Sequence, residues 1–386
     1  MNNKPALRFK GFSEEWKHDA LNKLMEISTE KNSNNSYTRE DVLSVSKKYG
    51  VVNQIKLQGR SFAGKDISNY KVVRKNQLVY TKSPLSQNPF GIIRNNSNLD
   101  GIVSPLYATY KTVNNSDSIF IECLFLLNHV LNNFLKPLIN KGAKNTLLIS
   151  DAAILEEKKY IPKSNEQQKI GSLFQNIDIL LKNIEQKTEK IHSVKNFLLK
   201  KMFPENNKKI PEIRFKGFGE KWEEKSLGEV SDIIRGSSPR PIEEHLTTDL
   251  NGLNWIRISD APTNNIFINK TKDKIKVDSV NKTRIVSKGD LIFSNSMSFG
   301  KSYIMNIDGC IHDGWLLFET YPIIFKFFLL YFLSSPISYK KYKILAAGST
   351  VNNLNKDLIE KFMISFPNIT EQRKIGSLFQ KLDRLI

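Results

Sequence analysis

The pattern of apolar and polar residues predicts one long helix near the middle of the chain. From Glu166 onward, apolar residues recur in steps of three and four, with Lys187 as the one polar exception, and this is the spacing of a coiled-coil seam. No proline lies between Pro162 and Pro204, so a helix of about 38 residues can extend roughly 55–60 Å. So narrow an apolar stripe on a charged helix needs a partner. The seam comprises Ile170, Leu173, Ile177, Leu180, Ile184, Ile191, Val194 and Leu198.

The same pattern begins again at Ile375, Leu378, Leu382 and Leu385, and the sequence stops at Ile386. We therefore predict that a second, short helix pairs with the first in an antiparallel arrangement. The alternative is a single surface helix that packs on its own domain. Whether the second helix is naturally short or truncated stays open.

Two blocks of sequence occur twice, in the same order. PALRFKGFSEEW at 5–16 returns as PEIRFKGFGEKW at 211–222, and EQQKIGSLFQNID at 166–178 returns as EQRKIGSLFQKLD at 371–383. The sequence between the blocks diverges. A repeat this long is not a solenoid unit, so each copy must bury its own core.

The duplication predicts an α+β fold, with two mixed α/β domains in tandem joined by long antiparallel coiled-coil helices, the second of them short. The predicted segments are a first domain at 1–163, a spacer helix at 164–203, a linker at 204–212, a second domain at 213–367 and the start of a second helix at 368–386.

Charge and composition point to the partner and the compartment. The chain carries 58 Lys+Arg against 39 Asp+Glu, a net +19, which favours a polyanionic partner over merely solvated lysines. Cys123 and Cys310 show no disulfide or metal-site spacing, and the N-terminus lacks a signal-peptide core, so we expect a cytoplasmic protein. The apolar run 322–333 contains Lys326 and is too short for a membrane span, so we predict a buried helix and no membrane partner.

Catalytic motifs are incomplete. Asn88-Pro89-Phe90 lacks the second proline of an amino-methyltransferase motif, and Gly300-Lys301-Ser302 lacks the first glycine of a P-loop. The five histidines do not cluster in sequence. We predict no catalytic residue, no metal ligand and no cofactor in this chain, although a triad assembled only in space stays open.

Loops that combine cationic or polar side chains with glycine or proline are candidates for DNA contact, because Lys and Arg bind phosphates while Arg, Asn, Gln and Ser bind base edges. For any one of them, a solvated surface role is the alternative. The candidates are Lys47, Lys48, Tyr49, Lys82, Ser83 and Asn88 in the first copy, and Arg235, Ser237, Ser238, Arg240, Arg257, Asn295, Ser296 and Lys301 in the second.

With these features in place, the chain resembles the specificity subunit (S subunit, HsdS) of type I restriction-modification systems. The resemblance covers the whole chain and rests on the doubled arrangement and on the Glu-Gln segments at 166–171 and 371–376. These look like the family's helix-opening motif, with Pro162 and Pro367 upstream and Asp178 and Asp383 downstream. The divergent interiors resemble target-recognition domains of different subtypes, which implies two different half-site sequences.

The resemblance implies that each recognition domain binds one half of a split target in double-stranded DNA. It also implies that the helical stem sets the gap and binds two modification (methyltransferase) subunits, which two restriction subunits can join. S-adenosylmethionine, ATP and Mg²⁺ are then expected on those partners. The alternatives are a duplicated coiled-coil nucleic-acid adaptor without base specificity, and a free-standing nuclease or methyltransferase.

Overall fold

The structure is a computed structural model that describes residues 5–97, 99–141, 147–205, 208–295, 300–347 and 354–386. The chain forms two compact units, residues 1–183 and 184–386, here called the first and second unit. The division falls inside the long helix, so each unit contains one part of it.

The first unit is built from short strands and a few helices. Its strands are β1 (Lys17–Ala20), β2 (Met25–Ile27), β3 (Leu43–Ser46), β4 (Gly50–Asn53), β5 (Lys71–Val73), β6 (Leu78–Tyr80), β7 (Ile93–Asn95), β8 (Gly101–Val103), β9 (Ala108–Thr112), β10 (Asn140–Lys141), β11 (Leu147–Leu148) and β12 (Lys158–Ile161). Its helices are α1 (Gln54–Gln58), α2 (Ser118–Cys123), α3 (Asn128–Leu135), α4 (Asp151–Glu156) and the first part of α5 (Ser164–Lys201), with 3-10 turns at Leu21–Lys23, Arg39–Asp41 and Lys136–Leu138.

The core of the first unit lies on the antiparallel sheet β2-β9-β6-β7. The central strand β6 has the sequence Leu-Val-Tyr and is buried along its whole length, because both of its faces are covered. On one face, Leu78 and Tyr80 pack with Phe120 of α2 and Leu131 of α3. On the other, Val79 packs with the smaller cluster that includes β3, β4 and β8 residues. That second cluster supports the β3–β4 hairpin.

The second unit has larger sheets. Its strands are β13 (Glu223–Ser226), β14 (Ser231–Arg235), β15 (Leu246–Thr247), β16 (Leu253–Ile256), β17 (Phe267–Ile268), β18 (Asp273–Ile275), β19 (Arg284–Val286), β20 (Leu291–Ser294), β21 (Ser302–Met305), β22 (Gly309–Ile311), β23 (Trp315–Thr320) and β24 (Met363–Phe366). Its helices are the remainder of α5, α6 (Leu227–Val230), α7 (Ile242–His245), α8 (Lys326–Leu333), α9 (Pro336–Ala347), α10 (Lys356–Glu360) and α11 (Ile369–Leu385), with 3-10 turns at Ile258–Asp260 and Val277–Lys282.

Two five-stranded sheets form the body of the second unit, in the orders β14-β23-β20-β21-β17 and β15-β18-β16-β22-β19, and β13 pairs with β24 apart from them. Strand β22 belongs to one sheet and β23 to the other, so the turn His312–Gly314 joins the two sheets. The prediction that the apolar run forms a buried helix is confirmed, since α8 buries Phe328–Leu333 in the core. Among the described residues, no helix is both long enough and apolar enough to cross a membrane.

The internal repeat is a repeat of contacts as well as of sequence. Antiparallel pairs β1–β12 and β13–β24 close the two units in the same way. In the first unit Arg8 binds Glu166 through two hydrogen bonds of 2.7 Å, and in the second Arg214 binds Glu371 through bonds of 2.7 and 2.8 Å. Both carboxylates are buried, so each repeated Arg-Phe-Lys-Gly-Phe segment is fixed to the first turn of a long helix.

The glutamine after each glutamate joins a second helix to this arrangement. The Gln167 side chain donates to the Pro162 carbonyl and accepts from the Asp117 N–H, at the N-cap of α2. Gln372 makes the same pair of bonds with Pro367 and with Phe325, at the N-cap of α8. Residues of the helix-opening motif therefore hold each unit together internally.

A glycine in each motif permits this close packing. A Cβ added to Gly171 would lie 2.2 Å from Asp117 Oδ1, and one added to Gly376 would lie 2.8 Å from Phe325 Cε1. Any side chain there would push the helix away from α2 or α8. The mixed helix-and-sheet class and the tandem arrangement predicted from sequence are confirmed.

Candidate nucleic-acid interface

In the first unit the candidate residues Lys47, Lys48 and Tyr49 form the tip of the β3–β4 hairpin. All three are exposed, and the Lys48 Nζ lies 5.2 Å from the centroid of the Tyr49 ring. Gly50 closes the turn with φ +71°, a conformation that side-chain-bearing residues rarely adopt. The hairpin thus presents two ammonium groups and one aromatic ring to solvent.

Amide side chains from two other segments surround Lys47. Its Nζ donates to Gln87 Oε1 at 3.2 Å and also contacts Asn128 Oδ1. The Asn132 side chain donates to the Gln87 carbonyl at 3.0 Å. Gln87, Asn128 and Asn132, here called the amide cluster, were missed by sequence reasoning because they are far from Lys47 in the chain. Amide groups next to a lysine suit contact with base edges and phosphates.

The remaining candidates of the first unit have structural contacts. Lys82 pairs with Asp151 and donates to the Ile149 carbonyl at 3.0 Å, and the Ser83 hydroxyl donates to the Thr81 carbonyl at 3.2 Å. Asn88 is only 1% exposed. Because a buried side chain cannot reach DNA, we correct the interpretation of Asn88: it shapes the loop that exposes Gln87.

In the second unit, candidates from separate segments meet around one carboxylate that sequence reasoning missed, Asp313. The Ser238 hydroxyl donates to Asp313 Oδ1 at 2.8 Å, and Arg235 Nε donates to the Asp313 carbonyl at 3.2 Å. The guanidinium groups of Arg235 and Arg240 lie 3.8 and 3.7 Å from Asp313 Oδ2. The signal that might have found Asp313 is its place in a His-Asp-Gly turn between two strongly apolar strands.

Glycine is required for this arrangement. A Cβ on Gly236 would lie 2.0 Å from the carbonyl oxygen of His312, an impossible contact with backbone. The segment after β14 can therefore lie against the His312–Gly314 turn only with glycine at 236. Beside it is an open pocket of about 770 Å³, with Trp255 and Arg257 in its wall.

The pKa values of Asp313 and His312 are both shifted below their ordinary values. Partial burial disfavours the Asp313 carboxylate, but the hydrogen bonds from the Ser238 hydroxyl and from its own backbone N–H, together with nearby positive charge, outweigh it and hold the pKa of Asp313 below its ordinary value. Burial lowers the pKa of His312 below its ordinary value. The His312 Nδ1 accepts the Gly314 N–H at 2.6 Å, which fits the neutral ring.

The other candidates of the second unit are placed differently. Arg257 pairs with Asp273 at 3.0 Å, and Ser237 donates to the Lys282 carbonyl at 3.0 Å. Asn295 is 6% exposed, and its N–H donates to the Gly314 carbonyl, so we correct it to a support of the turn. Lys301 is exposed beside a separate pocket of about 680 Å³, and Ser296 lies outside the described residues.

The predicted helical seam is partly covered. In the second unit Leu198 packs with Leu378 and Leu382 of α11 against the core that contains Ile375. Lys195 pairs with Asp383, while Phe203 stacks on Phe379, so the contacts run in opposite order along the two helices. Ile170 packs on the core of the first unit, and Ile191 is half-buried. Exposed seam residues, each between 40% and 60% accessible, are Leu173, Ile177, Leu180, Ile184 and Val194.

No group of three or more His, Cys, Asp or Glu residues is placed to hold a metal ion within the part of the chain that the structure describes. The candidate groups are lysines and amides on the first unit, and arginines, Ser238 and Asp313 on the second.

Comparison with known proteins gives one family match and several similar folds. Residues 219–386 match the family model described as type I restriction modification DNA specificity domain. The crystal structure of a type I restriction-modification system S subunit from M. genitalium is similar over 100% of this chain and 94% of its own, with TM-score 0.61 and 15% identity. The crystal structure of an HsdS subunit from Thermoanaerobacter tengcongensis is similar over 100% of this chain and 92% of its own, with TM-score 0.47 and 16% identity. The similarity to the M. genitalium structure extends over both units.

Proposed function

We propose that this chain is a DNA sequence-specificity subunit of a type I restriction-modification complex and that each of its two units binds one half of a split DNA target. The observation that carries the proposal is the combination of one framework used twice with two unlike interiors. The paired strands recur in both units, and so does the buried Arg-Glu pair (Arg8–Glu166 and Arg214–Glu371), here called the Arg-Glu clamp. The exposed cationic groups lie on different elements in the two units.

Each interior has the chemistry that DNA contact requires. The first unit offers Lys47 and Lys48 with the amide cluster, and the second offers Arg235 and Arg240 with hydroxyl groups around Asp313. Lysine and arginine neutralise phosphates, and amide, guanidinium and carboxylate groups distinguish base edges in the major groove. Because the two sets differ, the two half-sites should differ in sequence.

Transfer of methyl groups and cleavage of DNA belong to partner subunits in this proposal. Methyltransferase subunits would bind S-adenosylmethionine, and restriction subunits, where present, would use ATP and Mg²⁺. The exposed part of the seam on α5 is our candidate for the surface that holds two methyltransferase subunits, since an exposed apolar stripe on a charged helix favours a protein partner. The same helix would set the gap between half-sites.

An exchange of interiors tests the modular arrangement. Residues 17–160 would be replaced by the corresponding interior of another specificity subunit, and the methylated sequence mapped in cells that also carry the modification subunit. We expect one half of the split motif to change and the other half to stay. A change in both halves would contradict the proposal, and an adaptor without base specificity would give no motif at all.

A further inference from the structure

The Arg235 side chain is anchored through Nε, which leaves four of its five N–H donors without a hydrogen bond within the part of the chain that the structure describes. Its Nε donates to the Asp313 carbonyl at 3.2 Å, and its Nη2 lies 3.8 Å from the Asp313 carboxylate. Its Nη1 has no partner among the described residues, and the side chain is 60% exposed. A fixed guanidinium with an exposed end can form two parallel hydrogen bonds at little entropic cost.

The neighbouring carboxylate decides which ligand suits that guanidinium. Asp313 carries a negative charge next to Arg235, and a phosphate placed there would be repelled by it. The edge of guanine is uncharged and presents two acceptors, O6 and N7, which match the two donors of an arginine. The pair therefore favours a base edge over the DNA backbone.

Asp313 has acceptor capacity of its own to spare. Its Oδ1 accepts the Ser238 hydroxyl, whereas Oδ2 has only the two guanidinium groups at 3.7 and 3.8 Å, beyond hydrogen-bond distance, within the part of the chain described. The carboxylate is 41% exposed. Cytosine presents an amino group in the major groove, and a carboxylate is the side chain that accepts from it.

We infer that Arg235 and Asp313 together recognise one G·C base pair in the half-site of the second unit, with Arg235 on guanine and Asp313 on its cytosine. The inference rests on the proposed function and adds the base pair and the residues. Ser238 and Gly236 are positioning residues, because one orients the carboxylate and the other lets the two segments meet.

Arg240 is a matched control on the same carboxylate. It is 82% exposed and has a single contact, 3.7 Å from Asp313 Oδ2, within the described residues. Its guanidinium is therefore not held in one orientation. Because the Arg240 side chain is 82% exposed and not anchored by a hydrogen bond to Asp313, it can turn away from the carboxylate towards a phosphate, which demands less exact placement.

The test is selection of duplexes from a library randomised at both half-sites, using the full chain in complex with its modification subunits. Wild type first defines the split motif, and the interior exchange identifies the half that belongs to the second unit. We expect Arg235→Ala to lower discrimination at one guanine of that half by roughly 10- to 100-fold and to leave the other positions unchanged. Asp313→Asn should relax the same base pair.

The controls separate base contact from charge and from misfolding. Arg240→Ala should weaken binding to all sequences alike and reduce the slope of log affinity against log salt by about one. Arg235→Lys keeps the charge but not the two-pronged geometry, so it should lose discrimination while non-specific affinity stays. Unchanged preference in Arg235→Ala, or a second half-site without a G·C pair, would overturn the inference. Absence of any motif in wild type would instead overturn the proposed function.

Discussion

The buried Arg214–Glu371 pair predicts how strongly the second unit depends on the first turn of α11. Glu371 is fully buried, and the Arg214 side chain is only 10% exposed. Two hydrogen bonds of 2.7 and 2.8 Å join the guanidinium to the carboxylate, and they compensate two charges that burial would otherwise disfavour. The same hydrogen bonds are the largest cause of the raised pKa of Arg214. Glu371→Gln keeps the shape of the side chain but leaves the guanidinium without a counter-charge.

Removing one partner of a buried ion pair costs about 3–5 kcal/mol. For a unit of roughly 200 residues, each kcal/mol lowers Tm by about 2–4 °C, so we expect a decrease of roughly 6–20 °C. Differential scanning calorimetry on the full chain measures it. The control is Glu360→Gln, which breaks an exposed helix pair with Lys356 and should change Tm very little.

The duplicated framework supplies an internal check. Glu166→Gln removes the equivalent partner of Arg8 in the first unit and should destabilise that unit in the same direction. If Glu371→Gln lowered Tm no more than Glu360→Gln, the buried pair would not be holding the repeated segment, and our account of the helix-opening motif would be refuted.

Three further outcomes are expected. Lys47→Ala should weaken binding at the half-site of the first unit and lower the salt slope by about one, with Lys356→Ala as control; unchanged affinity would remove the hairpin from the interface. Since burial lowers the pKa of His312, the unfolded chain binds more protons, so stability should be complete above about pH 6.5 and fall below it. The carboxylates of Asp313 and Asp260 favour the protonated ring and Arg257 disfavours it, but burial dominates. His312→Gln should therefore flatten that fall in pH-dependent unfolding, and an unaltered curve would contradict it. Gly376→Ala should lower Tm because its Cβ would meet Phe325 at 2.8 Å, whereas Gly219→Ala meets nothing and should not.

The parts of the fold that sequence predicted are those with local signals. The heptad steps of α5 are visible from the spacing of neighbouring apolar residues. The near-identical blocks that carry Glu166 and Glu371 are visible when the two segments are compared directly. The role of the motif was not visible, because Arg8 is 158 positions from Glu166. Only the folded chain shows that the repeated arginine and glutamate bind each other within each unit.

The sequence allowed us to predict some of the exposed cations, but not which residues would contact them. Lys47 and Arg235 stand out as cations in glycine-containing loops, and both are exposed. Their partners are separated from them by long stretches of chain: Asn128 is 81 positions from Lys47, and Asp313 is 78 positions from Arg235. Asn88 carries the same polar signal as Gln87, and only tertiary packing buries one and exposes the other.

Each interior leaves and re-enters its framework through adjacent antiparallel strands. Lys17 of β1 lies opposite Ile161 of β12, and Glu223 of β13 lies opposite Phe366 of β24. A segment whose two ends are neighbours can be lengthened, shortened or replaced without stretching the chain that carries it. Under the proposed function, changes of DNA specificity are then open to insertion and deletion as well as to point substitution, and the Arg-Glu pairs beneath them keep their geometry.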